Sequence, residues 1–192
     1  MAPGHRPGPE VSLQPPADAK LAAVLLLLYP ADDAVSSTPG EPALYVPMMK
    51  RPPRTGPHSG QISFPGGAHE PEDADLEQTA LRESEEELGI LPTNVRILGR
   101  LSQLYVPPSG FLVSPYVGWS DTRPDFQPDP REVDRVLEIP LAHLMASDTR
   151  RSEERDWPGG PSTVPFFHFA EPDREHKIWG ASAMMMAEFL AV

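Results

Sequence analysis

Residues Gly66 to Ile90 read GGAHEPEDADLEQTALRESEEELGI: a glycine pair, an acidic turn, and a helical stretch from Leu76 to Leu88 that Gly89 stops. At 3.6 residues per turn, Glu83, Glu86 and Glu87 fall within about 100° of arc on one face of that helix. Carboxylates placed this way repel one another, so they do not serve helix stability. Their hard oxygen donors suit Mg²⁺ or Mn²⁺, and such a cation relieves the repulsion. Taken alone, the spacing favours a solvated acidic face. The residues around it turn the reading towards a metal.

Working outward, KLAAVLLLLY (Lys20 to Tyr29) and ALYVPMM (Ala43 to Met49) predict strands separated by the polar loop PADDAVSSTPGEP. KRPPRTGPHSG is a loop that its prolines and glycines keep irregular, and QISFPGG is a short strand ending in a turn. Leu81 and Leu88 are expected to face the core from the helix. VRILGRLSQLYV and FLVSPYVGW form an expected strand pair joined across PPSG, followed by the proline-rich loop DTRPDFQPDPREV. VLEIP then predicts a strand leading to a helical turn at Leu141 to Met145. TVPFFHF and HKIWG add two strands, and SAMMMAEFLA closes the chain as a helix whose methionines fill core space. Strands outnumber helices without regular alternation, which favours a mixed α+β sandwich over a doubly wound parallel sheet.

The chain of 192 residues fits one domain. Residues 1–18 are expected to be a flexible proline-rich tail and residues 19–192 a single domain, because Met1 to Pro16 hold five prolines and two glycines with no apolar period. The absence of cysteine excludes disulfides, thiolate metal sites and a cysteine nucleophile. The cytoplasm is the default compartment. The apolar run Leu21 to Tyr29 is far shorter than the roughly 20 residues that span a bilayer, and reads as a buried strand. A net charge of -12 disfavours nucleic acid and anionic membrane surfaces as partners. It also repels phosphorylated metabolites, so a polyphosphate substrate needs a bound cation. Six scattered histidines show no zinc-ligand spacing.

The match of Gly67, Arg82, Glu83, Glu86, Glu87, Gly89 and Ile90 resembles the Nudix box, G-x5-E-x7-R-E-U-x-E-E-x-G-U, where U is bulky and apolar. Asp73 fills the place of the first acid if the following spacer is one residue longer, and Ser84 stands where an apolar residue is usual. The extra residue and the upstream HSGQISFPGG (His58 to Gly67) resemble the coenzyme A diphosphohydrolase branch. Arg51, Arg54, Gly60 and Phe64 to Gly67 partly reproduce that branch's arginine-containing segment, with a different arginine spacing and with prolines at 52 and 53. PPSGFLVSPYVG, the REV segment at Arg131 to Val133, and IWGASA are similar to the same branch.

The resemblance implies an α/β/α sandwich with a mixed sheet and Mg²⁺- or Mn²⁺-dependent hydrolysis of a nucleoside diphosphate derivative. For this branch, coenzyme A would give 3′,5′-ADP and 4′-phosphopantetheine. Glu83, Glu86 and Glu87 would then hold the metal, and a bound water would attack phosphorus. One of these glutamates, or a later acid for which Glu132 is the candidate, would take the proton. Arg82 would point away from the cluster and pair with a carboxylate, Asp73 among the choices, to hold loop and helix together. Gly66 and Gly67 let the backbone approach metal or phosphate, or simply form a tight turn. Lys50, Arg51, Arg54 and His58 either bind the substrate's phosphates or form a solvated loop. Glu85 is read as solvent-facing. Other nucleoside diphosphates such as ADP-ribose, a non-catalytic nucleotide-binding role and a homodimer all stay open.

Overall fold

The computed structural model describes residues 14–35, 42–53, 59–157 and 160–192. Most of the expected tail, together with Arg54 and His58, lies outside the described residues. In chain order the strands and helices are β1 (Lys20–Val35), β2 (Pro42–Lys50), β3 (Ile62–Ser63), β4 (Gly66–Ala68), α1 (Leu76–Leu88), β5 (Arg96–Arg100), β6 (Leu104–Val106), β7 (Phe111–Trp119), β8 (Arg135–Pro140), α2 (Leu141–Met145), β9 (Arg150–Trp157), β10 (Gly160–Glu171), β11 (Arg174–Trp179) and α3 (Ala181–Phe189).

Strand β1 is the spine of a mixed sheet. Along one edge it runs parallel to β7, from the pair Lys20 and Phe111 to the pair Leu28 and Trp119. Its other edge is shared, with β4 antiparallel to Ala22–Val24 and β2 antiparallel from Tyr29 onward. Strands β3 and β8 pair with β2, and β5 and β6 pair with β7. A second sheet has the order β11-β10-β9.

The two-residue period of β1 divides its apolar run between two layers. Ala23, Leu25, Leu27 and Tyr29 pack with Ala80 and Leu88 of α1. Ala22 and Leu26 pack the opposite way, with Phe167, Ile178, Ala183, Met185 and Met186 of the small sheet and α3. Leu25, Leu26 and Leu27 are all buried, and each such burial stabilises by about 2 kcal/mol before conformational entropy is counted. The mixed α/β/α sandwich is therefore present, with α1 on one face and α2, α3 and the small sheet on the other.

The structure differs from the sequence-based expectation at β4, where a turn was expected, and at three further places. Strand β1 continues through Pro30–Val35, a stretch expected to be loop. The long strand expected over Val95 to Val106 is broken into β5 and β6. The break lies opposite Pro115, whose carbonyl still accepts from Leu101 N (2.9 Å) but which has no N–H to return to that edge. Here Ser102 N turns instead to the carboxylate of Glu188 (2.9 Å). Strand β9, RRSEERDW, was not expected at all; among the described residues it pairs with β10 alone, and its Arg155 lies 4.2 Å over the Trp179 ring.

Candidate active site

Helix α1 occupies the range expected for it because both ends are capped. The Asp75 side chain accepts from Gln78 N (2.9 Å), while Gln78 Oε1 accepts from Ala74 N (2.7 Å). At the other end Gly89 adopts φ 72°, and its N–H reaches Glu85 O. Leu88 is buried and Leu81 half-buried, as expected for the core face, and Glu85 is exposed. Ser84 is fully buried, and its hydroxyl donates to Ala80 O (2.6 Å), which lets a polar residue occupy a core position.

The loop before the helix is fastened by one ion pair. Arg82 donates from Nε to Asp73 Oδ1 (2.8 Å) and from Nη2 to Asp73 Oδ2 (3.0 Å), a two-pronged contact. Asp73 also accepts from Thr79 Oγ1 (2.8 Å) and Glu70 N (3.0 Å). The Arg82 guanidinium, helped by these donors, holds the Asp73 carboxyl well below the usual carboxylate range despite its burial. Arg82 Nη2 further donates to Ala68 O (3.1 Å), so the expected pairing of loop and helix is present. Its expected direction needs correction. Arg82 Nη1 turns towards the glutamates and reaches Glu83 Oε1 (3.1 Å) and Glu86 Oε2 (3.2 Å), because Asp73 takes only two of its three nitrogens.

One turn on, Glu87 is buried between the helix and the sheet. Its Oε2 accepts from Gly66 N at 2.7 Å and its Oε1 from Arg51 Nη2 at 3.0 Å. Burial nevertheless pushes its pKa up to about 7, against Arg51 and the Gly66 amide, with Glu83 and Glu132 adding to the rise. Burial likewise raises Glu83, opposed by Arg82. Glu86 is more open, with 59% of its side chain exposed.

Both glycines lie at close approaches, Gly66 to backbone and Gly67 to a side chain. A Cβ on Gly66 would lie 2.3 Å from Ala23 O, and one on Gly67 would lie 2.4 Å from the carboxylate of Glu83. Gly66 thus seats the turn on β1, and Gly67 leaves room for a glutamate.

Glu132 comes from residues 120–134, a loop that closes over the C-terminal end of α1. Gln127 N donates to Leu88 O (2.9 Å) and Asp129 N to Glu87 O (3.0 Å), satisfying carbonyls that the helix end leaves unpaired. Glu132 Oε2 then stands 3.9 Å from Arg51 Nη1, on the guanidinium that also holds Glu87. Lys50 is directed to Asp134 (3.2 Å), which ties the far end of the loop to β2. Sequence reasoning selected Arg51 and Lys50 as cations and Glu132 as an acid but missed these partners. The amides of Gln127 and Asp129 carry no side-chain signal by which they could have been found.

Among the described residues, no three acidic or histidine side chains converge on one point as a ready metal site. In this arrangement Arg82 lies between Glu83 and Glu86 while Arg51 engages Glu87. The donor chemistry still fits a divalent cation: the groups are all carboxylates and they share one helix face.

Comparison with known proteins agrees with this construction. The NUDIX domain profile matches residues 21–158. Nudix hydrolase 15, mitochondrial, of Arabidopsis thaliana is 34% identical over 175 residues, which is 90% of this chain and 58% of that protein. The human mitochondrial coenzyme A diphosphatase is 34% identical over 171 residues, 85% of this chain and 70% of its own. This chain therefore spans little more than half the length of the plant relative. A MutT/nudix family protein from Enterococcus faecalis shares the fold with a TM-score of 0.59 at 15% identity, over 94% of this chain and 64% of that one. With the glycine turn, the capped acidic helix and the profile in agreement over most of its length, the chain belongs to the Nudix family.

Proposed function

We propose that this protein is a metal-dependent pyrophosphohydrolase that cleaves the diphosphate of coenzyme A or its derivatives to 3′,5′-ADP and 4′-phosphopantetheine. The observation that carries the reading is the buried Glu87 carboxylate, held by the Gly66 amide and Arg51 with Glu132 across from it. A folded chain has no structural use for that many acids around one buried carboxylate, whereas phosphate chemistry has.

Glu83, Glu86 and Glu87 would hold Mg²⁺ or Mn²⁺, which when bound neutralises the diphosphate and lowers the pKa of a water. In the hydrolysis the water oxygen bonds to one phosphorus and the bridging oxygen leaves with the other phosphate. Glu132 takes the water's proton. Arg82 keeps the loop bearing Gly66 and Gly67 against the helix, and Arg51 would bind the phosphates, with Lys50, Arg54 and His58 as the further cations that the sequence offers for them. Support for coenzyme A comes from the segment His58 to Gly67 and from the human relative's named activity. A cytoplasmic location is part of this proposal. Among the described residues no helix is long and apolar enough to cross a membrane.

Turnover should be measured with Mg²⁺ or Mn²⁺ on coenzyme A, acetyl-coenzyme A, ADP-ribose and a dinucleoside polyphosphate. Coenzyme A cleaved with the highest kcat/KM is the expected result. ADP-ribose cleaved while coenzyme A stays intact would move the substrate, and no cleavage of any of them would leave a nucleotide-binding role.

A further inference from the structure

Nothing in the box explains how Glu132, half-exposed on a loop rich in proline, is kept facing Arg51 and Glu87. Lys50 and Asp134 tie one end of that loop to β2, and the other end carries a second anchor. Arg123 grips Glu138 of β8 with two nitrogens, Nε to Oε2 at 2.7 Å and Nη2 to Oε1 at 2.6 Å. Glu138 Oε2 also accepts from the hydroxyl of Tyr29 at 2.7 Å, and Tyr29 is fully buried. Phe126, three residues along the loop from Arg123, has its ring 5.3 Å beneath the guanidinium and edge-on to Tyr29 at 5.9 Å. Arg123, Glu138, Tyr29 and Phe126 thus lock the loop onto β1 and β8 immediately before Gln127 and Asp129 dock on the helix end.

We infer that Arg123, acting through Glu138 and Tyr29, is a positioning residue that fixes the 120–134 loop so that Glu132 meets the site beside Glu87. This rests on the hydrolase reading above, in which Glu132 accepts the water's proton. A bidentate arginine pair against a buried hydroxyl is a rigid anchor, because the guanidinium fork and the carboxylate each have one matching orientation. Eight residues lie between Arg123 and Glu132, and the constraint passes along them through the helix contacts at Gln127 and Asp129 and through Glu132 N, which donates to Asp129 O (3.0 Å). A lysine at position 123 would keep the charge and lose the fork.

The test combines amide hydrogen exchange with kinetics on the full chain. In Arg123→Gln, exchange at the Gln127 and Asp129 amides should rise about tenfold, since these bonds open locally once the anchor is gone. With coenzyme A, kcat should fall about tenfold with KM within about twofold, while Glu132→Gln alone falls about 100-fold. The double variant should be no worse than Glu132→Gln, because both changes remove one function. Arg123→Lys should recover only part of the loss. Should Arg123→Gln fail to fold, Tyr29→Phe, which removes a single donor from Glu138, is measured in the same way and should raise the same two exchange rates. Losses that multiply in the double variant, or unchanged exchange at Gln127 and Asp129, would overturn the inference. Faster exchange in a protein that turns over no nucleoside diphosphate derivative would instead remove the hydrolase reading, and the positioning role with it.

Discussion

Asp73 and Glu87 sit at the two ends of the same loop-helix unit, both buried and both paired with an arginine, yet they are driven in opposite directions. Asp73 receives two prongs from Arg82, a threonine hydroxyl and a backbone amide, and is held far below the ordinary carboxylate range. Glu87 receives one contact from Arg51 and one from Gly66 N, has Glu83 and Glu132 as neighbours, and rises to about 7. Burial raises both carboxylates and prevails at Glu87, whereas at Asp73 the donors, Arg82 first among them, outweigh it. The first carboxylate is satisfied by the protein, and its role is to hold structure. The second is left under-satisfied, which suits it to a further positive charge.

Breaking the second end should have the largest effect. Glu86→Gln combined with Glu87→Gln is expected to lower kcat by about 1000-fold or more, as loss of metal ligation and charge stabilisation does, measured by product release from coenzyme A. Breaking the first end acts on folding instead. Asp73→Ala leaves a partly buried guanidinium without its main partner, and denaturant titration should show a loss of about 3 kcal/mol. An Asp73→Ala protein as stable as the parent would show that the pair holds nothing.

The pH dependence should separate the two ends further. The Glu87 pKa is raised in the fold, so its stabilising share is complete below about pH 4.5 and is lost as pH rises through about 7. The metal-free protein should lose up to about 3 kcal/mol from this group between those values, and Glu87→Gln should flatten that slope in thermal melts. Asp73 has the reverse sign: its contribution is present above the ordinary aspartate range and fails only as pH falls through its depressed value. Magnesium added to the parent should raise Tm more at pH 8 than at pH 5, because ligation requires the ionised carboxylate. The smallest effect is expected for Gly67→Ala. The new methyl forces the Glu83 carboxylate aside without backbone strain, so kcat should fall about tenfold with a stability change near 1 kcal/mol.

Local signals made part of this legible in the sequence. The end of helix α1 was readable because Gly89 stops it, and the burial of β1 followed from an uninterrupted apolar run, whereas the Asp75 cap at the helix start emerges from the structure. The partner of Arg82 was readable as one choice among several, since it lies in the same loop. Long-range pairings were not. Arg51 and Glu87 meet only because β2, β3 and β4 bring them together, and Glu132 joins them through backbone bonds to which its own sequence is blind. Strand β9 escaped because its charged residues fit a solvated loop as well as a sheet edge, where charge is the usual guard against mispairing. The break between β5 and β6 was written in Pro115, but on the partner strand.

The shared edge of β1 gives quality control over folding an unusual form. Val24 pairs with Gly66, and the same turn delivers the amide that holds Glu87. A slip of one residue along this strand would turn its buried leucines to the wrong layer and carry Gly66 out of reach of Glu87. A misregistered chain would thus lose its packing and its reactive centre together, leaving little room for a folded but inactive population.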